Sequence, residues 1–248
     1  MPTRGFSLVE ILVVIAIVGV LGALLAPALA RAVESAEQAA CASNLHQLAA
    51  ALQSYLKDND GWFFPLRTNR PDGVLWYYGF ESSSSTSAPE GSRTLDRTRA
   101  RLYPYLDSRR ATVEICPAFN YGGAYKPKYN EKWWTYGVNY ELTGTTKARN
   151  VSELRGRDAA RTVIMADAAQ VNTWQAPASS TNPLVEEWFY VQPGARMVQF
   201  RHGGMANVLM ADWHVEACQP AQNSYHPLLP QARIGYLDTK KYVFKPKT

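Results

Sequence analysis

Side chains that could take part in metal or acid–base chemistry are sparse, and they fall in the second half of the 248-residue chain. His202 and Asp212 flank an apolar run that is typical of a hairpin, and Asp167 ends a neighbouring predicted strand. Asp167, His202 and Asp212 are therefore candidate metal ligands, with His214 as a further one. Alternatively, His202 hydrogen-bonds the turn and Asp212 caps it, because a transition metal would need more nitrogen or sulfur than this set offers.

The three cysteines are Cys41, Cys116 and Cys218. The chain contains no C-x-x-C pair, and the wide spacing does not predict a zinc site. If the body of the protein lies outside the cytoplasm, one disulfide and one remaining thiol are expected.

Common catalytic motifs are missing from the sequence: it has no nucleophile elbow, P-loop, dinucleotide fingerprint or H-E-x-x-H. We therefore predict a protein that is not an enzyme. The rival hypothesis is a membrane-anchored periplasmic hydrolase or ligand-binding module that uses Asp167, His202 and Asp212. The formal charge of +5 comes from scattered basic residues, so a solvated surface is favoured over a nucleic-acid partner.

The N-terminus contains the clearest signal in the chain. Residues 11–30 carry no charge, and the apolar run is long enough to cross a bilayer as a helix. Arg4 precedes the run and favours a cytoplasmic N-terminus with the body across the membrane. A cleaved secretory signal and a plain anchor are both possible, but neither explains Glu10, because a carboxylate in an apolar segment costs about 2.5–3.5 kcal/mol.

Segment 4–10, RGFSLVE, followed by the apolar run, resembles the processing signal of type IV prepilins and type II secretion pseudopilins. The resemblance implies cleavage by a prepilin peptidase between Gly5 and Phe6, and N-methylation of Phe6. It also implies that Glu10 pairs with the amine of a neighbouring subunit during assembly, which would lower the cost of burying either charge. Expected partners are other pilin or pseudopilin subunits, the prepilin peptidase and the bacterial inner membrane.

The elements that would position these residues form an α+β fold, in which one long helix packs on a small, mainly antiparallel sheet. We expect a leader at 1–5, a transmembrane helix at 6–30, an amphipathic continuation at 31–58 and a periplasmic head at 59–248. Leu45, Leu48, Leu52 and Tyr55 define an apolar stripe, which Cys41 extends. A short helix is expected at 95–106 and a solvent loop or disordered segment at 81–91. Strands are expected at 112–115, 135–140, 162–166, 195–200, 206–211 and 214–217.

Segment 200–216 is similar to the signature of a pseudopilin-like group with histidine, nine residues and Asp-Gly. Segments 41–48, 115–117 and 136–139 also match this group. The sequence departs from it at Trp213, where the group has glycine, so the turn either differs or carries strain.

The resemblance also bears on the cysteines and on metal binding. Cys41 and Cys116 lie in family-like segments, so we expect these two to pair and Cys218 to stay free. A bond between Cys116 and Cys218, or three buried thiols, are the alternatives. Related secretion pseudopilins bind calcium in a loop of the head, so calcium is a further possibility here, although imidazole is a poor calcium ligand.

The processing signal leads to a direct prediction. The mature chain should begin at N-methyl-Phe6, and its formal charge should fall from +5 to +4 because Arg4 leaves with the leader. Mass spectrometry of the N-terminal peptide measures this. A chain that begins at Arg31 or Val33 would instead indicate a secretory signal.

Overall fold

A computed structural model describes residues 7–106, 113–145, 147–154, 156 and 158–245. Its longest element is a 51-residue helix, α1 (Leu8–Asp58). The helix begins with a capping box, in which Ser7 and Glu10 satisfy each other's backbone N–H groups. It continues through Pro27 and ends before Gly61, whose N–H donates to the Leu56 carbonyl with φ at 78°. The predicted helix and its end are therefore confirmed.

The two halves of α1 differ in their surroundings. Residues 7–36 are all exposed, whereas the predicted stripe of Cys41, Leu45, Leu48 and Leu52 has no exposed surface at all. This stripe packs against aromatic side chains of the head, and Tyr55 meets Phe64 edge-to-face at 5.3 Å. The second half of α1 is therefore the central helix of the head, while the first half has no cover from the described part of the chain.

Within the residues that the structure describes, the head contains short strands arranged in four small sheets. The strands are β1 (Arg67–Arg70), β2 (Gly73–Trp76), β3 (Gly79–Ser82), β4 (Tyr136–Asn139), β5 (Val163–Asp167), β6 (Ala169–Asn172), β7 (Leu184–Glu187), β8 (Tyr190–Val191), β9 (Val198–Gln199), β10 (Ala206–Met210), β11 (Val215–Cys218) and β12 (Ile234–Gly235). The short helices are α2 (Ser83–Thr86) and α3 (Tyr140–Thr143), with 3-10 turns at Arg97–Arg99, Tyr103–Tyr105, Val151–Leu154, Ala159–Arg161 and Pro230–Ala232.

The largest sheet has the order β11-β10-β5-β4-β8 and packs against the buried half of α1. All of its pairings are antiparallel except that of β4 with β8. The other sheets are β1-β2-β3, β6-β7 and β9-β12. A long helix on a small, mainly antiparallel sheet is the predicted α+β architecture, and the strands expected at 135–140, 162–166, 206–211 and 214–217 are present with shifted ends.

Two predicted elements are wrong. In the segment 112–115, residue 112 lies outside the described residues and the rest forms a turn. Its contacts with Thr135 are one backbone bond, from Thr135 N–H to the Glu114 carbonyl, and one bond from Cys116 N–H to the Thr135 hydroxyl, which is not the repeated backbone pairing of a strand. The helix expected at 95–106 is two separate 3-10 turns, because Ala100 is extended between them and Pro104 cannot donate a backbone hydrogen bond.

Segment 81–91 is more ordered than predicted, and segment 195–200 is less regular. Glu81 is fully buried and accepts from Arg93 at 2.6 Å, so the serine-rich stretch that follows is held against the head. The ion pair between Glu81 and Arg93 explains why this polar segment is not the solvent loop that its composition predicted. Of the strand expected at 195–200, only Val198–Gln199 pairs, and it pairs with β12 rather than with the main sheet.

Trp213 lies in the turn between β10 and β11 with φ at 73°. This left-handed conformation costs a residue with a Cβ about 1–2 kcal/mol, while glycine adopts it freely. Trp213 is partly buried against the main core, and its N–H donates to the Met210 carbonyl at 2.9 Å. The turn therefore keeps the geometry that suits glycine, and indole packing offsets its strain.

Replacing Trp213 by glycine and by alanine separates packing from strain. Both changes remove the indole. At the positive φ of this turn, alanine has a Cβ and is strained, whereas glycine is not. Trp213→Gly should therefore be more stable than Trp213→Ala by about 1 kcal/mol. Chemical denaturation of the full chain in detergent measures the difference. Asp212 is not among the residues with positive φ, so the matched pair Asp212→Gly and Asp212→Ala should show the opposite order. Equal stabilities of the two Trp213 variants would contradict the strain argument.

Candidate functional site

The first functional surface is the exposed half of α1. Residues 11–30 carry no charge and none of them is buried, so the helix is long and apolar enough to cross a membrane. Leu8 is 78 % exposed and Leu24 is 68 % exposed. Water is a poor solvent for so continuous an apolar surface, and lipid or other apolar helices would cover it favourably.

Glu10 is the one acidic residue in the first turn of this helix. Its Oε2 atom accepts from Ser7 N–H at 2.7 Å, and its own N–H donates to the Ser7 hydroxyl at 3.3 Å. An ionised carboxylate offers about four lone-pair sites, so the cap leaves capacity for another donor. Gly5 and Phe6, the predicted processing residues, lie outside the described residues.

The second candidate is a buried polar cluster where α1 meets the main sheet. Cys41 comes from α1, Cys116 from the turn before Pro117, Asp167 from the end of β5 and His202 from the turn before β10. One ligand atom from each of these four side chains lies within 4.8 Å of the others, and all four residues are buried. We name these four residues the neck cluster.

Asp167 is the centre of the neck cluster. Its Oδ1 atom accepts from the Cys41 thiol at 3.1 Å, and its Oδ2 atom accepts from Asn207 N–H at 2.7 Å. His202 Nε2 lies 3.3 Å from Oδ2, and Cys116 Sγ lies 3.4 Å from the same ring nitrogen. The fully buried carboxylate thus joins α1, β5 and β10.

Arg201 balances the buried carboxylate. Its side chain is only 3 % exposed, and Nε lies 3.9 Å from Asp167 Oδ1. Nη2 donates to the carbonyls of Thr135 and Ala168, which fixes the guanidinium on the sheet. Burial alone would raise the pKa of Asp167, but Arg201 and then His202 hold it below its usual value.

The pKa values of the two thiols and the imidazole in the neck cluster are shifted in different directions. Burial raises the pKa of the Cys41 thiol, so this thiol stays protonated and donates to Asp167. Burial also acts to raise the pKa of Cys116, but the hydrogen bond with Cys41 lowers it to about 6. Burial acts to lower the pKa of His202, whereas its hydrogen bonds with Asp167 and Cys116 raise it to about 9.

The neck cluster does not have the geometry of a nucleophile relay. A Cys–His–Asp relay needs the thiol on one ring nitrogen and the carboxylate on the other. Here Cys116 and Asp167 both approach His202 Nε2, while Nδ1 is buried without a hydrogen-bond partner in the described part of the chain. Cys116 and His202 are also buried, so a substrate could not reach them. The arrangement is therefore suited to holding the helix and the sheet together rather than to catalysis.

Segments noted separately in the sequence meet at this cluster. Asn44 of segment 41–48 donates to the Ile115 carbonyl at 3.2 Å and to the Tyr136 hydroxyl at 3.3 Å. The Tyr136 hydroxyl in turn lies 3.4 Å from Cys41 Sγ. Segments 41–48, 115–117, 136–139 and the start of 200–216 therefore form one contact region between the helix and the sheet.

Predicted site residues divide into two places. Asp167 and His202 come together as expected, but Asp212 lies apart from them in an exposed pair with His214 on the β10–β11 turn. Cys218 belongs to a different apolar group, on β11. Cys41 and Cys116 are unbonded in the structure, and the disulfide between them, like calcium binding, stays a prediction.

Sequence reasoning missed Arg201 as a partner of Asp167, and it did not place Cys41 and Cys116, which it expected to pair, beside Asp167 and His202. The signals present were the adjacency of Arg201 to His202 and the inward stripe that contains Cys41. Neither indicates a shared site until the fold brings the four distant segments together.

Comparison with known proteins agrees with the N-terminal analysis. Residues 1–26 match the family model described as the prokaryotic N-terminal methylation motif. No curated protein and no solved structure matches the chain. The motif and the long apolar helix indicate a single-pass, membrane-anchored protein, and the motif is similar to the N-terminus of type IV pilin-like precursors.

Proposed function

We propose that the protein is a structural subunit of a type IV pilus-like or type II secretion pseudopilus filament. A prepilin peptidase would cut it after Gly5 and methylate Phe6, with the N-terminus cytoplasmic and the head periplasmic. The observation that carries the proposal is the exposed half of α1, which is apolar on every side over residues 11–30 and has one carboxylate, Glu10, just before that stretch.

The two halves of α1 suit this role in different ways. The exposed half would lie in the inner membrane before assembly and would pack against the same half of other subunits afterwards. Both environments are apolar, so moving from one to the other needs little change in hydration. The buried half stays packed in the head, so the head would follow its helix into the filament without refolding.

Glu10 would give the assembly its register. Cleavage leaves a cationic amine at Phe6, and an amine and a carboxylate are less costly to bury together than separately. The capping contact with Ser7 already holds the Glu10 side chain at the N-terminal end of the helix. A neighbouring subunit whose amine reaches this end would neutralise it.

Removing the charge of Glu10 tests this proposal. Glu10→Gln and Glu10→Leu should insert into the membrane as well as the wild type or better, because a charge that costs about 2.5–3.5 kcal/mol is gone. Incorporation into sheared filaments should fall about tenfold or more, since each 1.4 kcal/mol of lost pairing is a factor of ten. Quantitative immunoblotting of membrane and filament fractions measures both.

Glu37→Gln is the matched control, since it makes the same chemical change on the same helix beyond the membrane segment. It should assemble normally. Wild-type levels of Glu10→Gln in filaments would contradict charge pairing, and a wild-type chain that is never cut at Gly5 would contradict the proposed function itself.

A further inference from the structure

We propose that the neck cluster is a zinc-binding site, with Cys41, Cys116, Asp167 and His202 as the four ligands. Each comes from a different part of the fold, and their ligand atoms lie within 4.8 Å of one another. Two sulfurs, one imidazole nitrogen and one carboxylate oxygen form a complete donor set for tetrahedral zinc.

The distances agree with this coordination. Zinc bonds of about 2.0–2.3 Å give a tetrahedron with edges of about 3.3–3.8 Å. Asp167 Oδ2 and His202 Nε2 are 3.3 Å apart, and Cys116 Sγ and His202 Nε2 are 3.4 Å apart. Cys41 Sγ lies 3.1 Å from Asp167 Oδ1. The two pairs that involve His202 thus already match these edges, the Cys41 contact is to the other oxygen of Asp167, and the widest pair of ligand atoms, at no more than 4.8 Å, would have to close by up to about 1 Å on binding.

The orientation of His202 also favours a metal. A single ring nitrogen, Nε2, faces both Cys116 and Asp167, which is the arrangement of a ligand whose lone pair points at a common centre. The relay geometry excluded above would have used both nitrogens. Convergence of a sulfur and an oxygen on one ring nitrogen is the placement that a coordination site needs, once Nε2 has lost its proton.

The donor set selects the class of metal. Calcium and magnesium prefer oxygen ligands, and this cluster offers sulfur and nitrogen from three of its four residues. Four protein ligands leave no open position, so the zinc would be structural rather than catalytic. The buried setting agrees with this, because no substrate could reach the ion.

Charge is also balanced in the zinc-bound state. Two thiolates and one carboxylate carry three negative charges, and zinc supplies two positive ones. The guanidinium of Arg201, held 3.9 Å from Asp167, supplies the third. Binding would release the remaining thiol protons and the Nε2 proton of His202, so the buried site would be neutral as a whole.

A disulfide between Cys41 and Cys116 would use the same sulfurs, so one molecule cannot have both. The two chemistries differ in what they need from the surroundings. A disulfide needs no nitrogen or carboxylate nearby, whereas zinc uses His202 and Asp167 as well. The convergence of all four groups is the reason that we favour zinc.

Cobalt titration of the full chain in detergent, reduced and freed of metal by chelation, tests the proposal. We expect one cobalt ion per chain, with a thiolate-to-cobalt charge-transfer band and strong visible bands of a tetrahedral ion, both displaced by zinc. Cys41→Ser, Cys116→Ser and His202→Gln should each weaken zinc binding by about 100-fold or more. Cys218→Ser is the matched control, since it removes a buried thiol outside the cluster, and it should bind like the wild type.

A second measurement on the wild type keeps the test independent of variants that fail to fold. Zinc should slow alkylation of Cys41 and Cys116 far more than that of Cys218. Absence of the charge-transfer band, equal loss in Cys218→Ser, or no selective protection would overturn the proposal. A Cys41–Cys116 disulfide in protein as isolated from cells, seen by non-reducing peptide mapping, would also overturn it. None of these outcomes bears on Gly5 cleavage or on Glu10.

Discussion

The buried carboxylate of Asp167 is the interaction on which the joining of helix and head depends. It receives a thiol from α1, a backbone N–H from β10, an imidazole and a nearby guanidinium, all without contact with water. A buried charge is tolerated only when it is paired and hydrogen-bonded. Each element that contributes a partner must therefore keep the position in which it can bind Asp167. Apolar packing alone would not specify that position.

The apolar contacts supply the bulk of the stability around this point. Leu45, Leu48 and Leu52 are fully buried on the face of α1 that extends from Cys41. Burial of each leucine contributes about 1.5–3 kcal/mol, but the hydrophobic effect is non-directional and does not by itself specify the axial position of the helix. The directional contacts of Asp167, together with Asn44 on the next turn, select one axial position.

The parts of the fold that could be read from the sequence are those with strong periodicity. The stripe on α1 and the strands β4, β5 and β10, which are buried at every position, are elements whose pattern and burial coincide. The sheet β1-β2-β3 was missed because a strand such as Arg67–Arg70 is polar and mostly exposed, so its pairing depends on tight turns instead. The segment before Cys116 looked like a strand because its residues are β-formers, but one backbone bond and one side-chain bond to Thr135 stand in place of repeated strand pairing.

The residues of the neck cluster could be predicted only in part, and the reason differs from that for the strands. Asp167 and His202 were singled out by residue type, and Asp212 was added because the hairpin should bring it near His202. The hairpin forms, yet its turn places Asp212 at the exposed end, beside His214. Zinc motifs are recognisable in sequence when ligands come in close pairs. Four ligands on four segments leave no such spacing, so only the fold reveals them.

The position of the neck cluster along α1 explains why polar contacts are concentrated there. Cys41 is the first buried residue of the helix, and the residues before Glu37 are exposed. On the N-terminal side of Cys41, Gly203 N–H donates to Glu34 Oε1 at 2.8 Å, and Asn207 Nδ2 donates to the Gln38 carbonyl at 3.3 Å. If the exposed half is held in a membrane or a filament, as proposed above, a force on the head would act first at this boundary. The hydrogen bonds from Gly203 and Asn207 fix the helix to the head at the point where it leaves it.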